Sequence, residues 1–165
     1  MADKLLTERL QPSLLDRLTD DEAWSREEAR DTRVIDARRL RDIIRRDLSW
    51  LLNTTNCEAE HDLSTRPEVA RSTVNYGVPD LAGKIESIAR AIEVRQTIRK
   101  AIEDFEPRIV PGSLEINIVE EIEQERAVIT FDIRGELWAQ PLPLELYLRT
   151  AMDVTTGELH VERQA

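Results

Sequence analysis

The stretch Pro111-Gly-Ser-Leu-Glu-Ile-Asn-Ile-Val119 decides the fold class, because the apolar pattern changes there from helical spacing to alternation. Before this stretch, apolar residues recur every three or four positions. From Leu114 onward, apolar and polar residues alternate as they do in half-buried strands. Helices followed by strands, rather than the two in alternation, predict an α+β fold.

Two amphipathic helices are predicted before this boundary. The first covers residues 36–52 and is terminated by Asn53. The second covers residues 84–105, as one long helix or as two with a kink. Between them, a short helix should begin at Pro67 and carry Val74. The apolar face of the first helix consists of Leu40, Ile43, Ile44, Leu48, Leu51 and Leu52.

A meander of about four antiparallel strands is predicted after the boundary, with the helices packed on one of its faces. The strands are expected near residues 114–119, 127–133, 144–152 and 158–163. The last strand is short and charged, as protected sheet edges often are. An edge strand can also accept a strand from another chain, so this edge is a candidate docking strip.

Composition excludes several classes of function. The chain of 165 residues carries a net charge of −10, which opposes binding to nucleic acid or to anionic lipid. Its single cysteine, Cys57, cannot form an intrachain disulfide, which favours a reducing compartment. The sequence has neither a signal-peptide pattern nor an apolar run long enough to cross a membrane. We therefore expect a cytoplasmic protein without direct membrane insertion.

The chain is predicted to consist of an N-terminal segment, residues 1–35, and a main domain, residues 36–165. Leu14, Leu15 and Leu18 form a short amphipathic anchor within the segment. Residues 19–33 are almost entirely charged, which is typical of a tether.

The residues that carry chemistry do not form a catalytic or metal-binding pattern. His61 lies four positions from Cys57, but no second pair of soft ligands exists to complete a zinc site. The five glycines form no phosphate-binding loop, and with 33 acidic residues a chance pair of carboxylates carries no information. We expect no enzymatic activity, no metal and no cofactor.

Two charged features admit both a structural and a functional interpretation. Glu115, Glu120, Glu121, Glu123 and Glu125 cluster without an intervening Lys or Arg, either as a solvated hairpin tip or as a patch for a basic partner. Glu106-Pro107-Arg108 follows the second predicted helix. Proline ends a helix, so on residues alone this motif is a helix stop flanked by opposite charges.

Four segments, taken in order, resemble a known family. They are Leu14-Leu-Asp-Arg-Leu18, Arg46-Asp-Leu-Ser-Trp-Leu-Leu-Asn-Thr54, Asn75-Tyr-Gly-Val-Pro-Asp-Leu81 and Phe105-Glu-Pro-Arg108, followed by the strands. Together they resemble the TssE family of type VI secretion baseplate subunits. That family is similar to the wedge proteins of contractile-phage baseplates, which were once labelled lysozyme-like.

The resemblance implies a non-enzymatic structural protein of a contractile injection machine. Its location would be a cytoplasmic baseplate docked at the inner face of the bacterial inner membrane. Its partners would be the wedge subunits TssF, TssG and TssK and the sheath subunits TssB and TssC, whose assembly it would help to start. Glu106, Pro107 and Arg108 match the family's Glu-Pro-Arg motif, which implies a partner contact. Leu14, Leu15 and Leu18 would insert into a groove of a neighbouring wedge subunit.

Two alternatives stay open at this stage. One is a muramidase that uses two glutamates to cleave peptidoglycan, although no export signal would carry it to the cell wall. The other is an acidic adaptor that binds one basic partner outside any secretion machine.

Overall fold

The computed structural model describes residues 13–19, 37–82, 88–119, 128–139 and 143–163. Its helices are α1 (Leu14–Leu18), α2 (Ala37–Leu52), α3 (Pro67–Ala70) and α4 (Ile88–Phe105). Its strands are β1 (Glu115–Val119), β2 (Val128–Leu137), β3 (Leu144–Asp153) and β4 (Leu159–Arg163). The strands form one antiparallel sheet in the order β1-β2-β3-β4. The predicted α+β fold and the meander are therefore confirmed.

Helix α2 supplies one side of the hydrophobic core. All six apolar residues predicted on its inner face are buried, and the helix packs on α4, β3 and β4. Helix α4 lies against β1 and contributes Val94, Ile98 and Ile102 to the same core. An apolar stripe this wide requires an apolar sheet face opposite it, and the alternating strands provide that face.

The two faces of the sheet differ as the alternation predicts. Phe131, Ile133, Leu148 and Met152 on the helix side are all fully buried. On the opposite face, Asp132 accepts hydrogen bonds from the Tyr147 hydroxyl (2.8 Å) and from Arg149 Nε (3.0 Å). Burial opposes ionisation of Asp132, but these two donors outweigh it and hold the pKa of the carboxyl below its ordinary value.

The segment between α2 and α4 follows an irregular path over the core. A parallel bridge joins Thr55 to Val78, and Asn75 is buried with its side-chain amide donating to the Ala70 carbonyl (2.9 Å). Helix α3 is four residues long and ends at Ala70, so the expectation that this helix carries Val74 is wrong. Val74 is exposed in a separate 3-10 turn, because the chain must turn to bury Asn75.

Several sequence predictions lie outside the described residues. They concern most of the charged tether, the predicted start of the first helix at residue 36, the start of the second helix and the acidic residues 120–125. The division into residues 1–35 and 36–165 stays a prediction. Within the described ranges, no helix is long and apolar enough to cross a membrane.

Candidate functional site

The Glu-Pro-Arg motif forms a corner between α4 and the end of β2. The Glu106 amide donates to the Ile102 carbonyl (2.9 Å), which closes the last turn of α4. Beyond Pro107 the chain pairs with β2, because Trp138 N donates to the Arg108 carbonyl (2.8 Å) and Val110 N donates to the Glu136 carbonyl (2.7 Å). The corner is thus attached to a helix on one side and to a strand on the other.

Glu106 and Arg108 form a two-point ion pair across this corner. Arg108 Nε lies 2.6 Å from Glu106 Oε1, and Arg108 Nη2 lies 2.5 Å from Glu106 Oε2. Glu106 is only 5% exposed, whereas Pro107 is exposed and Arg108 is partly buried. Burial lowers the pKa of the Arg108 guanidinium, but the carboxylates of Glu106 and, after it, Asp47 raise this pKa by more than burial lowers it. The pKa therefore lies above its ordinary value.

Three more charged residues extend this pair toward the N-terminus. Asp47 on α2 accepts from Arg108 Nη2 (2.7 Å) and from Arg46 Nη2 (2.7 Å). Arg46 Nη1 in turn donates to Asp16 on α1 (2.6 Å). We call the alternating row Glu106, Arg108, Asp47, Arg46 and Asp16 the ion-pair chain. Its bond between Arg108 and Asp47 connects two residues that are 61 positions apart in the sequence.

The ion-pair chain contacts α1 through that helix's polar side. Ser13 caps the helix by accepting from the Asp16 amide (3.4 Å) and donating to the Asp16 carboxylate. Burial opposes ionisation of Asp16, but Arg46 and Ser13 together lower the pKa of its carboxyl. Leu14, Leu15 and Leu18 are all exposed on this short helix. The structure therefore brings all six predicted partner-binding residues to one end of the ion-pair chain or the other.

Two tryptophans at this site were not singled out from sequence. Trp138 is 66% exposed and directly follows β2, where its backbone bonds to Arg108. Trp50 is half exposed, and the Arg46 guanidinium lies 4.8 Å from the centre of its ring. The available signal in the sequence was the rarity of tryptophan, with only three in the chain, since Trp and Arg are enriched at binding hot spots.

The arrangement favours binding over catalysis. The carboxylates of Glu106 and Asp47 both accept from the Arg108 guanidinium, so neither is a free acid or base. Over the residues described, no three His, Cys, Asp or Glu side chains are grouped so that they could hold a metal ion. The Cys57 thiol donates to the Val74 carbonyl (2.9 Å) and is thus engaged within its loop.

These features define a class of α+β protein. Its helices cover one face of an antiparallel meander, and a corner at a proline, held by an ion pair, connects the last helix to the sheet. A family model described as "Baseplate wedge protein gp25" matches residues 38–142, which is more than half of the chain. The chain therefore belongs to the baseplate wedge protein gp25 family, to which TssE also belongs. No curated protein matches it.

The matched range fixes what family membership covers. It includes nearly all of α2, together with α4, the Glu-Pro-Arg corner, β1 and β2, whereas α1, β3 and β4 lie outside it. Membership gives the chain a structural role in a phage-tail-like baseplate, in contact with other baseplate components.

Proposed function

We propose that this chain is the TssE-like wedge subunit of a type VI secretion baseplate. In this role it binds TssF, TssG and TssK and helps to start the sheath built from TssB and TssC. The baseplate would be cytoplasmic and docked at the inner face of the inner membrane. The gp25 family match supports the baseplate part of the proposal, and the ordered TssE-like segments support the secretion part.

The observation that carries the proposal is the corner held by the ion-pair chain. Glu106 and Arg108 neutralise each other, so they serve the interface by fixing its shape rather than by pairing with partner charges. Contact with a partner then falls to the exposed apolar groups around them, Pro107 and Trp138. Binding hot spots are enriched in tryptophan and arginine, and this corner presents an exposed Trp138 next to Arg108.

Helix α1 forms the second part of the same surface. Its three leucines are exposed, and the pair between Asp16 and Arg46 attaches the polar side of the helix to α2. A short amphipathic helix with its apolar side outward fits a groove on a neighbouring subunit. We therefore propose that Leu14, Leu15 and Leu18 insert into a wedge partner while the ion-pair chain sets their position.

Substitution of Arg108 by alanine is a poor test of this proposal. It would leave the buried Glu106 carboxylate without its main cation, so loss of sheath assembly could reflect unfolding. Exposed residues separate binding from stability. Leu18→Ser and Trp138→Ala should abolish co-purification with the wedge subunits and sheath assembly in cells while leaving the urea unfolding midpoint unchanged.

Val74→Ser is the matched control, because Val74 is also exposed but lies outside the proposed surface. It should retain both partner binding and sheath assembly. Normal sheath assembly in both Leu18→Ser and Trp138→Ala would contradict the proposal. A muramidase would instead release fragments from peptidoglycan, and an acidic adaptor would bind one basic protein in a salt-sensitive manner and no baseplate subunit.

A further inference from the structure

The free edge of the sheet at β4 has a defined hydrogen-bonding pattern. Asp153 N donates to the Glu158 carbonyl (3.0 Å), and β3 and β4 then pair as Met152 with Leu159 and Ala151 with His160. In an antiparallel ladder, alternate residues bond to the neighbouring strand and the others direct their backbone groups away. Residues 158, 160 and 162 therefore bond to β3, whereas residues 159, 161 and 163 present theirs to the free edge.

The first of these outward positions is already occupied by a side chain. Asn53, directly after α2, donates from Nδ2 to the Leu159 carbonyl (2.8 Å) and accepts from the Leu159 amide at Oδ1 (2.9 Å). Nδ2 also donates to the Ser49 carbonyl (2.8 Å). The opposite orientation of the amide would direct Oδ1 at two carbonyl oxygens, so the orientation is determined by its partners.

The Asn53 carboxamide thus takes the place of one peptide group of a fifth strand. At the next outward position, Val161, neither backbone group has a partner among the residues that the structure describes. At the opposite edge of the sheet, Arg99 donates to the Leu114 carbonyl (2.7 Å), a contact that engages a carbonyl but no amide. Side chains that cover sheet edges limit where another chain can pair.

We propose that Asn53 is the register stop for a partner strand added to β4. The added segment would pair with Val161 and Arg163 and would end before Leu159, where the carboxamide already fills the edge. This inference rests on the proposed role in starting the sheath, with a sheath subunit as the source of the added strand. It adds the position at which that pairing must end.

The chemistry of the edge also indicates the segment it would take. Val161 is buried beside the helices, whereas Glu162 is exposed on the other face of β4. A strand beside these two residues would alternate an apolar side chain toward the helices with a Lys or Arg toward Glu162. The partner is therefore an extended, alternating apolar and basic segment.

Amide hydrogen exchange measured by NMR tests the stop in the free protein. In the wild type, the Leu159 amide should be protected and the Val161 amide should exchange rapidly. Asn53→Ala should reduce protection of Leu159 by about fivefold or more, the equivalent of one hydrogen bond. Asn117→Ala is the matched control: Asn117 is exposed on β1 at the opposite edge of the sheet, so protection of Leu159 should be retained.

The same amides are then followed after addition of purified TssB and TssC. The wild type should gain protection at Val161 and Arg163, and in Asn53→Ala the gain should extend to Leu159. If added protection extends through Leu159 equally in the wild type and in Asn53→Ala, the stop is overturned while strand addition stands. If no β4 amide gains protection, the stop and the addition of a sheath strand to β4 are both overturned, while the proposed baseplate function still stands on its own test. Rapid exchange of Leu159 in the free wild-type protein would overturn the stop by itself.

Discussion

Replacement of Glu106 by glutamine removes the negative charge from the buried end of the ion-pair chain with almost no change in shape. The side-chain oxygen of the new glutamine would still accept from Arg108 Nε, which lies 2.6 Å from Oε1, and from the Arg108 amide at 3.2 Å. Its NH₂ group, however, would face Arg108 Nη2, and two donors cannot bond to each other. The substitution therefore removes one charge-assisted hydrogen bond.

The expected cost is about 2 kcal/mol of unfolding free energy, because hydrogen bonds to charged groups contribute roughly 1.5–3 kcal/mol. The lower part of that range applies, since Arg108 keeps Asp47 as a second partner 2.7 Å from Nη2. For a urea m-value of about 2 kcal/mol/M, the midpoint of unfolding would fall by about 1 M.

Glu103→Gln provides the matched control on the same helix. Glu103 is exposed and its ion pair with Arg99 is 3.6 Å long, so its loss should cost no more than about 0.5 kcal/mol. Both variants would be unfolded in urea and followed by circular dichroism. Equal midpoints for Glu106→Gln and Glu103→Gln would refute the view that the buried ion pair holds the corner.

Three further predictions concern other parts of the fold. Gly77→Ala should destabilise the protein far more than Gly112→Ala, measured by urea unfolding. Both glycines have a positive φ, but an added Cβ at Gly77 would lie 2.1 Å from the Thr54 carbonyl oxygen, whereas a Cβ at Gly112 would meet open space. The pKa of Asp132 is lower in the folded state than in the unfolded state, so on acidification the unfolded state binds the proton first and the wild type loses stability below about pH 4. Asp132→Asn should reduce this loss, measured by unfolding at a series of pH values. Equal acid dependence in the two proteins would contradict this. Tyr76 should ionise at higher pH than a free tyrosine in an ultraviolet absorbance titration, because burial and, after it, two nearby carboxylates raise its pKa.

The fold class was predictable from sequence because periodicity reports directly on burial. The face of α2 from Leu40 to Leu52 and the alternation from Leu114 onward both survive in the structure unchanged. Short irregular segments were not predictable in the same way. Val74 has an apolar side chain, but the path of its loop is set by the buried Asn75, which bonds locally to Ala70 and also accepts from the amide of Glu58, 17 residues away.

The candidate site was only partly predictable for the same reason. The Glu106-Pro107-Arg108 motif and the leucines of α1 could be selected from sequence, the motif by its resemblance to a family. The connection between them could not, since Asp47 and Arg46 read as ordinary charges on the outer face of an amphipathic helix. Their role follows from the packing of α2 beside the corner, which no local pattern encodes.

The packing of α2 against β4 has a consequence for synthesis on the ribosome. Asn53 and Leu159 are 106 residues apart, so the helix emerges long before the strand that completes its core. At translation rates of about 5–20 residues per second, the apolar side of α2 remains uncovered by that strand for roughly 5–20 s. A nascent chain in this interval exposes the same leucines and isoleucines that the finished protein buries, and is therefore a candidate client for chaperones.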